Sequence, residues 1–132
     1  MTITPDTNVL VRIMTDDDPD QVPAARQALA DADAVIVTTP TLCELVWVLS
    51  RSYRLGSARI ADTIRALRSV DNVVIDHAAV DAGLAMLEAG GDFADGAIAL
   101  EGSRHGDATF LSFDRKAVRL LTAQGRKARL LN

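Results

Sequence analysis

The sequence predicts a single α/β domain, with a short, mainly parallel central sheet of about five strands covered by helices. Three observations carry this reading. Apolar runs of three to five residues alternate with longer stretches of helical periodicity, the rhythm of parallel strands joined by crossover helices. The length of 132 residues suits one domain with one core, covering residues 1–132. Hydrophobic residues make up 48% of the chain and charged residues 24%, a balance that excludes disorder. No repeat, low-complexity tract or flexible linker divides the sequence.

Each element has a local cause. Residues 2–4 form a short strand that Pro5 and Asp6 end, and residues 8–14 follow as a helical turn or two. Asp16-Asp17-Asp18-Pro19 interrupts the chain before a helix over 20–32. Val35-Ile36-Val37 is a buried strand bounded by Asp33 and Pro40. Residues 41–53 make the strongest helix, because Leu42, Leu45, Val46 and Leu49 fall at i, i+3, i+4 and i+7. Gly56 ends that region, and Ser57 caps a helix over 57–68 with Ile60, Ile64 and Leu67 on one face. Val73-Val74-Ile75 is the next strand. A helix over 78–89 stops at Gly90-Gly91, and a second over 93–105 stops at Gly106. A strand over 109–113, a helix over 115–123 and a last strand over 128–131 complete the chain.

Charge and composition narrow the chemistry. No apolar run approaches the ~18–20 residues of a membrane span. The opening Met1-Thr2-Ile3-Thr4 lacks the basic start and apolar stretch of a signal peptide, so a cytoplasmic location is expected. One cysteine, Cys43, neither staples a fold nor builds a cysteine-rich zinc site. With two histidines, His77 and His105, any metal must be held mainly by oxygen, which favours magnesium or manganese. The net charge of −4 conceals blocks: residues 1–50 and 71–110 are acidic, whereas 51–70 and 111–132 are basic. Twelve of the fourteen cations are arginine, the residue that grips phosphate bidentately. The basic blocks are therefore either solvated helix faces or local sites for a polyanion.

In parallel α/β sheets, ligands bind beyond the carboxyl ends of the strands. Asp6, Asp76 and Asp114 each follow a strand. Asp92 and Asp95 lie at i and i+3 where a helix begins, and Glu44 sits in the first turns of an otherwise apolar helix. Such acids repel one another strongly if they converge, unless a divalent cation sits among them. Capping is the competing role for Asp6, Asp76, Asp92 and Asp114, each just before a helix. Glu44 resists that alternative: it is expected beside buried residues, where a lone carboxylate is costly without an arginine partner.

Four segments together resemble the PIN domain family. Asp6-Thr7-Asn8-Val9-Leu10 resembles its opening motif, and Thr41-Leu42-Cys43-Glu44-Leu45 its second acidic motif on a helix. Asp95-Gly96-Ala97-Ile98-Ala99 resembles the third, and the strand Thr109-Phe110-Leu111-Ser112-Phe113 running into Asp114 the fourth. Their order, spacing and the chain length resemble VapC-type toxins of bacterial type II toxin–antitoxin systems over the whole sequence. The resemblance implies a PIN-like fold and a Mg²⁺- or Mn²⁺-dependent endoribonuclease with Asp6, Glu44, Asp95 and Asp114 in an acidic pocket. Asp6 and Asp95 would be the principal metal ligands, with Glu44 and Asp114 as further ones. Asp92 departs from the minimal pattern and is either an outer ligand or only a cap. Thr7, Asn8 and Ser112 would bond to the carboxylates or to water on the metal. A metal there lowers the pKa of bound water and stabilises phosphoryl charge, so the expected chemistry is phosphodiester hydrolysis of RNA. Arg12 is either a phosphate contact or a surface arginine.

The resemblance also implies a cognate VapB-like antitoxin laid across the groove, with an arginine entering the acidic pocket, and a homodimer. The apolar faces of the helices over 41–53 and 57–68, with Trp47 and Tyr53, are candidate interfaces; Trp47 is equally a core residue. Three other readings compete. A receiver-like domain would use Asp76 as phosphoacceptor, though it would want paired acids after the first strand and a lysine after the last. A catalytically silent protein would act only by pairing with a DNA-binding antitoxin. A DNA nuclease would use the same acids. Cys43 lacks a histidine nearby in sequence and is better explained as a helix packing position.

Overall fold

Five short parallel strands and seven helices make up the chain in a computed structural model that describes every residue from Met1 to Asn132. They fall into two compact units, Met1–Asp76 and His77–Asn132.

The first unit is built on three strands: β1 (Thr2–Ile3), β2 (Ala34–Val37) and β3 (Val73–Ile75). All pair in parallel, with β2 in the middle. The register sets Ile3 against Val35 and Val37 against Ile75. Val35 and Val37 of the central strand are buried, the period-2 pattern that fixes which face turns inward. Four helices connect and cover these strands: α1 (Thr7–Thr15), α2 (Gln21–Asp31), α3 (Thr39–Arg51) and α4 (Ser57–Arg68). Leu42, Leu45 and Leu49 of α3 and Ile60 and Ile64 of α4 are buried, as the helical spacing predicts. Boundaries differ from the expectation by one or two residues, and one shift has a plain cause. Helix α3 begins at Thr39, two residues earlier than expected, because Pro40 lies in the first turn and not ahead of it. A proline is tolerated there, since its missing N–H would be unpaired anyway. Thr38 supplies the cap through its Oγ1, which accepts from Thr41 N–H at 3.4 Å.

The second unit pairs two helices, α5 (His77–Glu88) and α6 (Phe93–Ser103), followed by a β–α–β segment. That segment comprises β4 (Phe110–Ser112), α7 (Arg115–Ala123) and β5 (Ala128–Leu130), the two strands again parallel. Helices α5 and α6 approach closely because glycine stands where a side chain would not fit. A Cβ on Gly96 would collide with the Ala82 carbonyl oxygen, and one on Gly83 would come to 2.5 Å of Phe93 Cε2. Val80, Met86, Phe93 and Leu121 are fully buried. The α/β class, the parallel strands and the helical cover match the sequence reading. The five strands are laddered as a set of three and a set of two.

No helix is long and apolar enough to cross a membrane.

Candidate active site

The second unit brings three acidic side chains to one cavity. Helix α5 is closed by Gly90, at φ +90, and by a hydrogen bond of 2.7 Å from Gly91 N–H to the Met86 carbonyl. The chain turns sharply there, and Asp92 arrives at the start of α6 as its cap, accepting from Ala94 N–H at 3.2 Å. Asp95 lies one step further, in the first turn of α6, half-buried. Asp114 ends β4 and caps α7, its Oδ1 accepting from Lys116 N–H at 2.9 Å and Ala117 N–H at 3.1 Å. Asp92, Asp95 and Asp114 line a cavity of about 210 Å³ together with Gly90, Gly91, Lys116 and Ala117. Two helix N-termini, those of α6 and α7, contribute to this cavity, and their partial positive charge favours acids there.

The acids nevertheless oppose one another. Burial holds the Asp95 carboxyl above the ordinary carboxylate range, and the charges of Asp92 and Asp114 push it further up. No cation of the chain is ion-paired to these three acids within 4 Å. An oxygen-only donor set with surplus negative charge suits a hard divalent cation such as Mg²⁺ or Mn²⁺. No three His, Cys, Asp or Glu side chains stand close enough in this structure to hold a metal ion by themselves.

The first unit holds the other two expected acids. Asp6 follows β1 and caps α1, accepting from Val9 N–H at 3.1 Å. It lines a cavity of about 340 Å³ with Asn8, Val9, Arg12 and Gln21. Thr7 is buried and Asn8 exposed. Capping and site roles are thus compatible for Asp6, Asp92 and Asp114: one carboxylate oxygen holds a helix start, and a second remains. Glu44 corrects the sequence reading. It lies on α3 but is exposed, so it carries no burial cost that calls for an arginine partner. The apolar spacing of α3 places Leu45 inward and Glu44 outward, which the run of neighbouring hydrophobic residues obscures.

The structure also places the other side chains singled out. Ser112 does not bond to a carboxylate; its Oγ accepts from Asp114 backbone N–H at 2.9 Å and so positions the residue through its main chain. Arg12 is half-buried and ion-paired to Asp17 at 3.4 Å. Tyr53 donates its hydroxyl to the same carboxylate at 3.1 Å, which uses its polar tip within the fold. Trp47 is not core, being 60% exposed on α3. Cys43 is half-buried on that helix, consistent with a packing position. The receiver-like reading of Asp76 fails on topology. A flavodoxin-like sheet places its first strand between the second and third, whereas here β2 lies between β1 and β3. Lys116 is a charged cavity residue that was not among the expected site residues. Its signal was its place two residues after a capping aspartate, in the first turn of a helix where a cation is disfavoured.

The family model that matches this chain describes the PIN domain and covers residues 3–120, from before Asp6 to beyond Asp114. No curated protein matches the sequence.

Proposed function

Because this chain belongs to the PIN-domain family, we propose that it is a VapC-type toxin of a type II toxin–antitoxin module: a Mg²⁺- or Mn²⁺-dependent endoribonuclease. PIN domains are commonly metal-dependent nucleases. The observation that best supports the reading is the cavity where Asp92, Asp95 and Asp114 converge with the Asp95 carboxyl pushed up. Asp95 and Asp114 are the residues of this cavity proposed to hold the metal, with Asp92 at its edge. When bound, the metal supplies an activated water and stabilises charge on the phosphoryl oxygens.

The chain's own groups prepare that chemistry. The Asp114 cap bonds and the Ser112–Asp114 bond fix one carboxylate before any substrate arrives. The Ala94 N–H bond fixes Asp92 in the same way, and Asp95 stands in the first turn of α6. Asp6 and Glu44, which the family motifs mark, are proposed to be required for cleavage as well. The partners proposed are RNA as substrate, a VapB-like antitoxin whose arginine neutralises the acids, and a second copy of the chain. The exposed Trp47 is the most prominent apolar side chain available on α3 for such an interface. A cytoplasmic location accords with this role.

The test is cleavage by the purified protein in Mn²⁺, compared with Asp6→Asn, Glu44→Gln and Asp95→Asn variants that retain their fold. Each variant is expected to lose at least about 100-fold in rate, the scale of removing a group that supports transition-state charge. A DNA strand of matched sequence should survive. Wild-type rates in all three variants would overturn the site, and a folded, metal-binding protein that cleaves nothing would favour a silent partner of a DNA-binding antitoxin.

A further inference from the structure

Helix α7 begins at the acidic cavity and carries three cations on its exposed side: Arg115, Lys116 and Arg119. Arg115 and Arg119 lie one turn apart, and Lys116 and Arg119 are at i and i+3, so the three form one patch. Ala117 and Leu121 occupy the buried side of the same helix. None of the three cations is spent on an ion pair within the chain. Some other basic residues are spent, as Lys127 on Asp107, Arg26 on Asp16 at 3.8 Å and Arg65 on Asp62 at 3.9 Å, but Arg51, Arg54 and Arg59 are not, so it is position that sets the α7 cations apart.

Their position works against the helix. Arg115 and Lys116 occupy the first turn of α7, where the backbone dipole favours acids, and no acid accompanies them there. A solvated helix face that served stability alone would place its cations at the other end. Local rules broken in this way mark functional positions. Lys116 also lines the cavity of Asp92, Asp95 and Asp114. Its Nζ lies 3.8 Å from where a Cβ on Gly90 would stand, which sets the ammonium over the glycine turn at the cavity's edge. An anionic chain whose reacting phosphate entered the cavity would therefore meet Lys116 first and the two arginines along the helix next.

We propose that the Arg115–Lys116–Arg119 face of α7 holds the phosphate backbone of the RNA strand beside the scissile position. The inference rests on the nuclease reading of the cavity and adds the surface that grips the substrate. Contacts of this kind are electrostatic and independent of base sequence, so they leave a signature in salt dependence.

The experiment measures binding of a labelled single-stranded RNA to the full chain in EDTA, across a range of KCl, by fluorescence anisotropy. A variant with Arg115→Gln, Lys116→Gln and Arg119→Gln is expected to bind about tenfold more weakly at physiological salt. Its slope of log Kd against log salt should flatten by about two, from three lost phosphate contacts on a single strand. A variant of equal charge change elsewhere, Arg51→Gln, Arg54→Gln and Arg59→Gln, should keep the wild-type slope. Removing the first-turn cations should not lower the melting temperature; were the triple variant unstable, Lys116→Gln alone should flatten the slope by about 0.7. Equal slopes in wild type and the α7 variants would overturn the proposal, as would an equal loss in the α3–α4 control. Tighter binding of polyglutamate than of RNA through the same three residues would also overturn it and assign the face to an acidic protein. Cleavage of RNA by wild type, followed in Mn²⁺, separates the two ideas: cleavage with unchanged slopes rejects the α7 surface alone, whereas absence of both binding and cleavage rejects the nuclease reading with it.

Discussion

Asp95 is the side chain whose surroundings most oppose its charge. Its carboxyl is raised above the ordinary value of 3.8, first by burial and then by Asp92 and Asp114. A group with a raised folded pKa favours folding below its unfolded value and loses that contribution as pH rises through the folded one. At neutral pH without metal, Asp95 therefore costs stability. Asp95→Asn is expected to raise the melting temperature by a few degrees in EDTA at pH 7, with the gain vanishing below pH 4; a lower melting temperature at pH 7 would contradict this. Asp17 runs the other way. The Thr15 hydroxyl lowers its pKa most; desolvation is the next largest effect and opposes it, and Tyr53 and then Arg12 lower it further. Its contribution is present above about 3.8 and is lost as pH falls through the lower folded value. Tyr53→Phe removes one donor, so acid unfolding followed by circular dichroism should begin at a higher pH than in wild type. At this scale the sequence shows where acids stand along the elements more readily than what surrounds them. Asp6, Asp92, Asp95 and Asp114 follow strands or open helices, which is visible as spacing; the exposure of Glu44 and the bond from Asp114 N–H to Ser112 depend on side-chain direction, which spacing alone leaves open.

Helices α5 and α6 show how one element places a side chain of another. Asp95 is held at the cavity because α6 lies close against α5, with Gly96 facing the Ala82 carbonyl. Gly96→Ala would gain up to about 1 kcal/mol in helix propensity. The new methyl would meet backbone, not a flexible side chain, and overpacking of that kind costs about 1–3 kcal/mol or more. The net expectation is destabilisation by about 1–2 kcal/mol in urea unfolding, with weakened metal binding from the displaced start of α6. A more stable Gly96→Ala protein would show that the helices have room to separate freely. Elements were the most legible level of this sequence. Leu42, Leu45, Val46 and Leu49 declared α3, and Gly90-Gly91 declared the end of α5, whereas α6 stops at Ser103, ahead of Gly106. Pro40 misplaced one boundary because the same residue that ends a helix is also tolerated in its first turn. Strand ladders were less legible, since runs as short as Val73–Ile75 carry no record of which neighbour they pair with.

At the scale of the whole molecule, surplus acid in one region and unspent arginine and lysine in another suit a protein that meets a metal ion and a polyanion. A ligand that binds only the folded state stabilises it by mass action, by about 2.7 kcal/mol at a hundred times its Kd. Millimolar Mn²⁺ should therefore raise the melting temperature of wild type, and should raise that of Asp95→Asn much less; equal shifts would place the ion elsewhere. The central claim is that the acids of this chain support metal-dependent cleavage of RNA. Incubating the purified, partner-free protein with total cellular RNA tests it most directly, in Mn²⁺, in EDTA, and as Asp95→Asn in Mn²⁺. The account predicts discrete fragments in the first case alone. Fragments that persist in EDTA or with Asp95→Asn would contradict it, as would intact RNA beside wild-type protein that is folded and stabilised by Mn²⁺.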